Sequence, residues 1–289
     1  MPEGDSYVRA AERLRPVLVG ETIEAVDGSP AVRRWAARLT GRRITGIRTY
    51  GKHLLIDVEG DLTIRTWLGM PGRWLIQRRG ATGRRTSGAA RLVISTGDHT
   101  VVCLSAPTIE VERRRVIDRA LERLGPDILA ATFDWDEYRR RAALVDPGSP
   151  VVDLLLDQRV VAGIGNEFTC EILFLERIHP SRPVGTLDAG TTDGLARRAR
   201  RIMPPNARRA ARTTTGSTVP GRESWVFRRT GAPCRRCRTE IDQGWVGRRA
   251  PRITYWCPAC QPATPEDRAD RTWHHEPSSG RLPPSDREV

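Results

Sequence analysis

A chain of 289 residues, 38% hydrophobic and 29% charged, is long enough for about two domains that each bury a core. No apolar run approaches the roughly 18 residues of a membrane span, and the N-terminus lacks the charged start and apolar centre of a secretory signal, so a cytoplasmic protein is expected. The 48 basic residues outnumber 35 acidic ones, for a net charge of +13; such charge neutralises phosphates and releases their counterions, which favours nucleic acid over a neutral small molecule as partner.

The chain opens Met1-Pro2-Glu3-Gly4. Removal of Met1 would leave Pro2 with a free secondary amine, which condenses with an aldehyde carbon to a charged iminium; an ordinary α-amino group titrates near ~7.7–8, so a useful fraction of such amines is unprotonated at neutral pH. Glu3 stands beside it as a proton donor or acceptor, and Gly4 leaves the approach open. Many proteins begin Met-Pro, so the weight of this reading rests on the rest of the chain. Asp5 or Ser6 reads as an N-cap, and Tyr7, Ala11 and Leu14 form one face of a short helix that Pro16 is expected to end or kink near Arg15. From Glu21 to about Ser105 the pattern is short strands separated by turns: Thr22–Val26, Arg43–Tyr50, His53–Val58, Leu62–Leu68, Arg73–Gln77, Arg91–Ser95 and Thr100–Leu104, interrupted by one helical insertion around Val32–Leu39. This predicts an antiparallel β-sandwich or barrel. Lys52, the single lysine among the 48 basic residues, follows Gly51 at the start of a strand. Where arginine is used everywhere else, it points to a site that needs a compact ammonium.

From about Val116 the period becomes helical. Ile117, Leu121 and Leu124 precede Gly125-Pro126, a helix stop, and further helices are predicted over Trp135–Leu144, Val151–Leu156, Glu167–Arg177 and Leu187–Met203. Between the third and fourth of these five lies Asp157-Gln158-Arg159-Val160-Val161-Ala162-Gly163-Ile164-Gly165-Asn166. It offers backbone N–H groups and a side-chain amide to an anion; taken alone, it reads more readily as a helix–helix turn with an Asn N-cap. Residues 204–224 are expected to be a loop able to close over a substrate. Cys234-x2-Cys237, then 19 residues, then Cys257-x2-Cys260 is the spacing of a four-cysteine zinc ribbon with one structural Zn2+. Between the two pairs, Arg252–Trp256 alternates like a hairpin strand. The charged, proline-rich segment 263–289 is expected to be disordered.

In this order, Pro2-Glu3-Gly4, Gly51-Lys52, the Asp157–Asn166 turn and the zinc ribbon with Arg252 resemble the formamidopyrimidine-DNA glycosylase and endonuclease VIII family over about residues 1–262. The resemblance implies an α+β fold: a catalytic β-sandwich with an N-terminal helix (1–112), a helix–two-turn–helix domain (113–222) and a zinc-finger β-hairpin (223–262). It also implies a bacterial base-excision repair enzyme acting on damaged DNA near the nucleoid without a nucleotide cofactor; a monomer is the default expectation. By the same resemblance Pro2 is the nucleophile, Glu3 the proton shuttle and Lys52 the phosphate contact that assists base release. Asn166 and Arg252 grip phosphates, and Met70 is the wedge that fills the place of the everted nucleotide; read without the family, Met70 is a core residue beside a turn.

This chain departs from the family pattern at three positions. Ser6 stands where an acid is frequent, Trp67 replaces a frequent His, and Phe227 replaces a frequent Tyr. The Arg and Phe wedge partners of the 8-oxoguanine enzymes are not recognisable around Ala106–Val111, which favours the endonuclease VIII-like branch and oxidised pyrimidines. The expected activity is that of a bifunctional DNA glycosylase and abasic-site lyase. The alternatives are a non-catalytic, zinc-dependent binder of damaged or single-stranded DNA and, more remotely, an RNA-processing zinc protein; only the enzyme accounts for Pro2, Glu3 and Lys52 together.

Overall fold

The computed structural model describes residues 2–79 and 89–269. The N-terminal half is built on helix α1 (Gly4–Leu18) and eight strands: β1 (Ala25–Gly28), β2 (Ile44–Tyr50), β3 (His53–Val58), β4 (Leu62–Trp67), β5 (Arg73–Arg78), β6 (Ala90–Ser95), β7 (His99–Leu104) and β8 (Thr108–Arg113). They form two four-stranded antiparallel sheets, ordered β1-β6-β7-β5 and β2-β3-β4-β8. Alternate side chains from both sheets, among them Ile56, Ile64, Ile94 and Val101, share one core with Tyr7, Ala11, Leu14 and Leu18 of α1. The sandwich is therefore closed by the helix that carries the N-terminus.

Helix α1 differs from expectation at both ends. It starts at Gly4, because Glu3 is the extended N-cap and its carbonyl already accepts from Ser6. It also runs through Pro16 to Leu18. The missing proline amide deprives only the Glu12 carbonyl, which lies on the exposed face, while buried Leu14 and Leu18 hold the last turn in the core. Strand β8 was not expected, since Glu110, Glu112 and Arg113 mask a short alternation of Ile109 and Val111; pairing with β4 from Leu62↔Arg113 to Trp67↔Thr108 defines it. The first strand is shorter than expected, with Thr22 joined to Arg43 only as an isolated bridge. The helical insertion is two short pieces, α2 (Pro30–Arg33) and α3 (Ala36–Leu39).

The second half packs α4 (Arg114–Leu121), α5 (Trp135–Ala142), α6 (Val151–Leu156), α7 (Asn166–Leu175) and α8 (Ala189–Ala207). Leu155, Phe168, Leu173, Leu195 and Met203 lie in its core, and so do Val246 and Trp256 from the hairpin β9 (Asp242–Val246) and β10 (Arg252–Trp256). The ribbon is thus docked on the helices. Helix α8 passes through Pro204 and Pro205, so the loop expected from residue 204 begins only after Ala207. Its last turn is held by buried Met203 and Ala207 and by Asn206, whose Nδ2 donates to the Ile202 carbonyl at 2.8 Å. The tail expected from residue 263 is also corrected over its first residues. Helix α9 (Pro265–Ala269) buries Asp267, which accepts from Arg182 Nε at 2.6 Å and from the Thr264 amide at 2.7 Å. Residues 270–289 lie outside the described residues. Among the described residues, no helix is long and apolar enough to cross a membrane.

Candidate active site

The N-terminus is bolted to the turn before α7. The Gly4 amide donates to the Gly163 carbonyl at 2.9 Å. The Glu3 carboxylate, fully buried, accepts from the amides of Gly165 (2.8 Å), Glu167 (2.9 Å) and Phe168 (3.4 Å). These donors sit at the N-terminus of α7, where unpaired N–H groups and the helix dipole favour negative charge. A side chain at Gly165 would fall 2.4 Å from Glu3 Cδ, so the turn needs glycine there to let the carboxylate approach. Burial raises the Glu3 pKa, opposed by the charges of Arg212 and Lys52. Glu3 thus caps the very helix that begins with Asn166, which the sequence alone did not indicate.

Lys52 lies in the β2–β3 turn, partly buried. Gly51 beside it has φ +53°, and a Cβ there would meet Ala162 Cβ at 2.7 Å, so this turn abuts the same 157–165 segment. Desolvation lowers the Lys52 pKa to about 8 despite the opposing pull of Glu3, with Arg252 and Arg212 adding to the lowering. The structure therefore brings Glu3, Lys52 and Arg252 into one electrostatic neighbourhood. Asn166 Nδ2 donates to the Ile253 carbonyl of β10 at 2.8 Å, which fixes the amide and leaves Oδ1 buried without a partner. Arg252, at the start of β10, is exposed. Pro2 lines a cleft with Ser6, Arg9 and Arg13 of α1 and with Leu68, Gly72 and Trp74. In the β4–β5 turn above this cleft Met70 is 75% exposed, which rules out the core reading of that residue. Trp67 at the end of β4 is 39% exposed.

The sequence reading missed a second layer. Arg212, nearly buried, donates to Asp5 from Nε (2.9 Å) and Nη2 (2.5 Å), to Glu167 from Nη1 (2.6 Å) and to Ser6 Oγ from Nη2 (3.1 Å). Its guanidinium also lies over the Phe168 ring, 4.8 Å from the centroid. Glu171 of α7 is buried as well, and accepts from the amides of Trp225 (2.8 Å), Val226 (2.9 Å) and Phe227 (2.9 Å) and from the Thr214 hydroxyl. The segment after α8 is therefore anchored to α7 at Arg212 and Thr214, and again beyond residue 224 at Trp225, Val226 and Phe227. In a chain with this much arginine nothing marks Arg212; only the Asp5 that follows Glu3-Gly4 offered a signal. Ser6 joins this network, and the Phe227 ring packs edge-on against Tyr255 at 5.3 Å.

The sulfurs of Cys234, Cys237, Cys257 and Cys260 all lie within 4.8 Å of one another. The Cys237–Cys257 and Cys234–Cys260 separations are 3.4 and 3.9 Å, close to the ~3.8 Å edge of a tetrahedron with metal–sulfur bonds of ~2.3 Å. The four cysteines can hold one metal ion. Outside the four, Cys103 is buried in the core of the sandwich and Cys170 in the small core that includes Cys234 and Cys257.

Comparisons with known proteins bear on the family and the fold. Residues 1–107 match the formamidopyrimidine-DNA glycosylase N-terminal domain, and residues 124–218 match the formamidopyrimidine-DNA glycosylase H2TH domain. The chain is 39% identical over 270 residues to a probable endonuclease 8 2 of Streptomyces coelicolor, covering 90% of this chain and 94% of that one. It is 38% identical over 266 residues to the DNA-(apurinic or apyrimidinic site) lyase Nei2 of Mycolicibacterium smegmatis, covering 91% and 100%. The fold is that of Lactococcus lactis Fpg in complex with DNA containing an abasic site, with a TM-score of 0.77 at 24% identity over 90% of this chain and all of that one. Fold, site and relatives define an enzyme of the DNA glycosylase and abasic-site lyase class. The chain belongs to the formamidopyrimidine-DNA glycosylase family.

Proposed function

We propose that this enzyme removes oxidised pyrimidines from DNA with Pro2 as nucleophile and then cuts the strand by β,δ-elimination. The observation that carries the reading is the attachment of the N-terminus: Gly4 and Glu3 are bonded to the 163–168 segment, so an amine on Pro2 would be held at a fixed point of the cleft. With Met1 removed, the Pro2 nitrogen attacks C1′ of an extruded nucleotide, the glycosidic electron pair leaves with the base, and the sugar ring opens to an iminium. The iminium draws electrons from C2′; loss of a C2′ proton expels the 3′ phosphate, and a second elimination expels the 5′ phosphate. Glu3, buried among amides that favour its anion, exchanges the protons of ring opening and elimination. Lys52, with its pKa lowered to about 8, contacts phosphate or donates a proton that assists base release.

Asn166 and Arg252 would act as phosphate ligands, and the exposed Met70 would enter the duplex to offset the few kcal/mol of base extrusion. The β7–β8 connection is only Ser105, Ala106 and Pro107, too short to present further wedge residues, which supports pyrimidine rather than 8-oxoguanine substrates. Zn2+ on the four cysteines would be structural, since four thiolates leave no open position for water; it would fix the hairpin that carries Arg252.

The test is borohydride trapping on a duplex with one abasic site, using protein whose N-terminus is verified by mass spectrometry. A covalent adduct mapped to Pro2, and lost when residues are added ahead of it, is expected. An N-terminally extended protein that traps and cuts like the native one would refute the mechanism, and tight binding with no adduct from native protein would leave a damage-binding role instead.

A further inference from the structure

Three carboxylates, Glu3, Asp5 and Glu167, converge on the single guanidinium of Arg212, with Lys52 as the second cation facing Glu3. With Arg9 also 3.7 Å from Asp5, three cations meet three carboxylates, and what differs among the carboxylates is how closely Arg212 holds each of them. Asp5 holds Arg212 in a two-pronged pair, and Glu167 meets it at 2.6 Å, whereas Glu3 lies 3.7 Å from Nη1. Glu3 is therefore the carboxylate that Arg212 holds least closely; burial raises its pKa, and the charge of the arginine opposes that rise.

The arginine is delivered to this point by a braced segment. On one side Asn206 and Thr213 bond reciprocally, with the Thr213 amide donating to Asn206 Oδ1 (2.7 Å) and Asn206 Nδ2 to the Thr213 carbonyl (2.9 Å). The Thr214 hydroxyl is tied to Glu171, and Arg9 of α1 donates to the carbonyls of Asn206 (2.9 Å) and Arg209 (2.7 Å). We propose that Arg212 is a positioning residue that sets the protonation of Glu3, with Asp5 and Glu167 acting as the clamp that holds it at this distance. The groups facing Glu3 are Asp5 from α1, Lys52 from the β2–β3 turn, Glu167 and the amides of Gly165, Glu167 and Phe168 from α7, and Arg212 from the segment after α8. Asp5 in turn faces Arg9 at 3.7 Å as well as Arg212. A stronger Arg212 pull on Glu3 favours the carboxylate that accepts the C2′ proton; a weaker one favours the acid. This inference rests on the proposed acid–base role of Glu3.

The experiment titrates the carboxyl carbon-13 resonance of Glu3, assigned by its loss in E3Q, beside single-turnover pH–rate profiles on a preformed abasic-site duplex. In R212M the Glu3 titration is expected to move up by about one unit or more. R212K should restore part of the wild-type value. D5N frees Arg212 and removes a like charge, so it should move the titration down, and it keeps the proposal falsifiable if R212M folds poorly. The rate profiles should move in the same directions. An unmoved Glu3 resonance in both R212M and D5N would overturn the proposal, as would a loss of rate in R212M that is equal at every pH. A resonance that moves while the profiles stay fixed would leave Arg212 in this role and refute instead the participation of Glu3 in catalysis.

Discussion

Replacing Gly165 by alanine adds one methyl group 2.4 Å from Cδ, 2.5 Å from Cγ and 2.7 Å from Oε1 of Glu3. The backbone at Gly165 (φ −124°, ψ −170°) is ordinary for alanine, so the perturbation is steric and falls on one carboxylate. Glu3 is fully buried and bonded to three amides, and it has no open direction in which to retreat. Overpacking of this kind costs about 1–3 kcal/mol, and each hydrogen bond to a charged acceptor contributes about 1.5–3 kcal/mol, less than additively when the bonds share one acceptor. A destabilisation of about 3 kcal/mol or more is expected, or about 6–12 °C in Tm at the ~2–4 °C per kcal/mol typical of chains near this size. Since the same displacement unfastens the N-terminus, borohydride trapping at an abasic site should fall by at least tenfold. Urea denaturation and trapping on the same preparation make the assay. A midpoint within ~0.5 kcal/mol of wild type together with wild-type trapping would show that Glu3 is not clamped against α7.

Lys52 makes an opposite kind of prediction. Its pKa is lowered in the folded state to about 8 from ~10.4 unfolded, so folding expels a proton between these values and protonated Lys52 weakens the fold below about pH 8. K52M should therefore be more stable than wild type at pH 7, by at most about 3 kcal/mol, while losing base release; denaturation curves should converge as pH rises from about 8 to about 10.4, and a gap that persists above that range would contradict the argument. Metal analysis should find one Zn2+ per chain, and its chelation should abolish DNA binding while helical circular dichroism from α5–α8 largely remains, because the helical core is closed mostly by its own residues. Truncation after Pro262 removes buried Asp267 from Arg182 and should cost about 1–3 kcal/mol in thermal or chemical unfolding; a truncated chain as stable as the full one would show that α9 contributes nothing to the fold.

The order of elements was legible in the chain because its signals are local. Period-2 alternation marked β2 to β7, period-3.6 burial and the Gly125-Pro126 stop marked the helices, and cysteine spacing marked the metal site. Met-Pro-Glu-Gly, Gly51-Lys52, the turn ending in Asn166 and Arg252 named the site residues by resemblance. What failed locally was decided by packing. Pro16, Pro204 and Pro205 sit inside helices because buried Leu18, Met203 and Ala207 outweigh one or two missing amides, and β8 and α9 exist through partners far away in sequence, β4 and Arg182. The sequence by itself determined which groups are available for chemistry: cysteine spacing marked a ligand set, and resemblance to the family suggested a nucleophile and an acid. Only the tertiary structure decided their state. Helix α7 points its unpaired amides at Glu3, the β2–β3 turn desolvates Lys52, and a segment more than 200 positions along the chain brings Arg212 between Asp5 and Glu167; charge and burial at a site depend on what folding places around it.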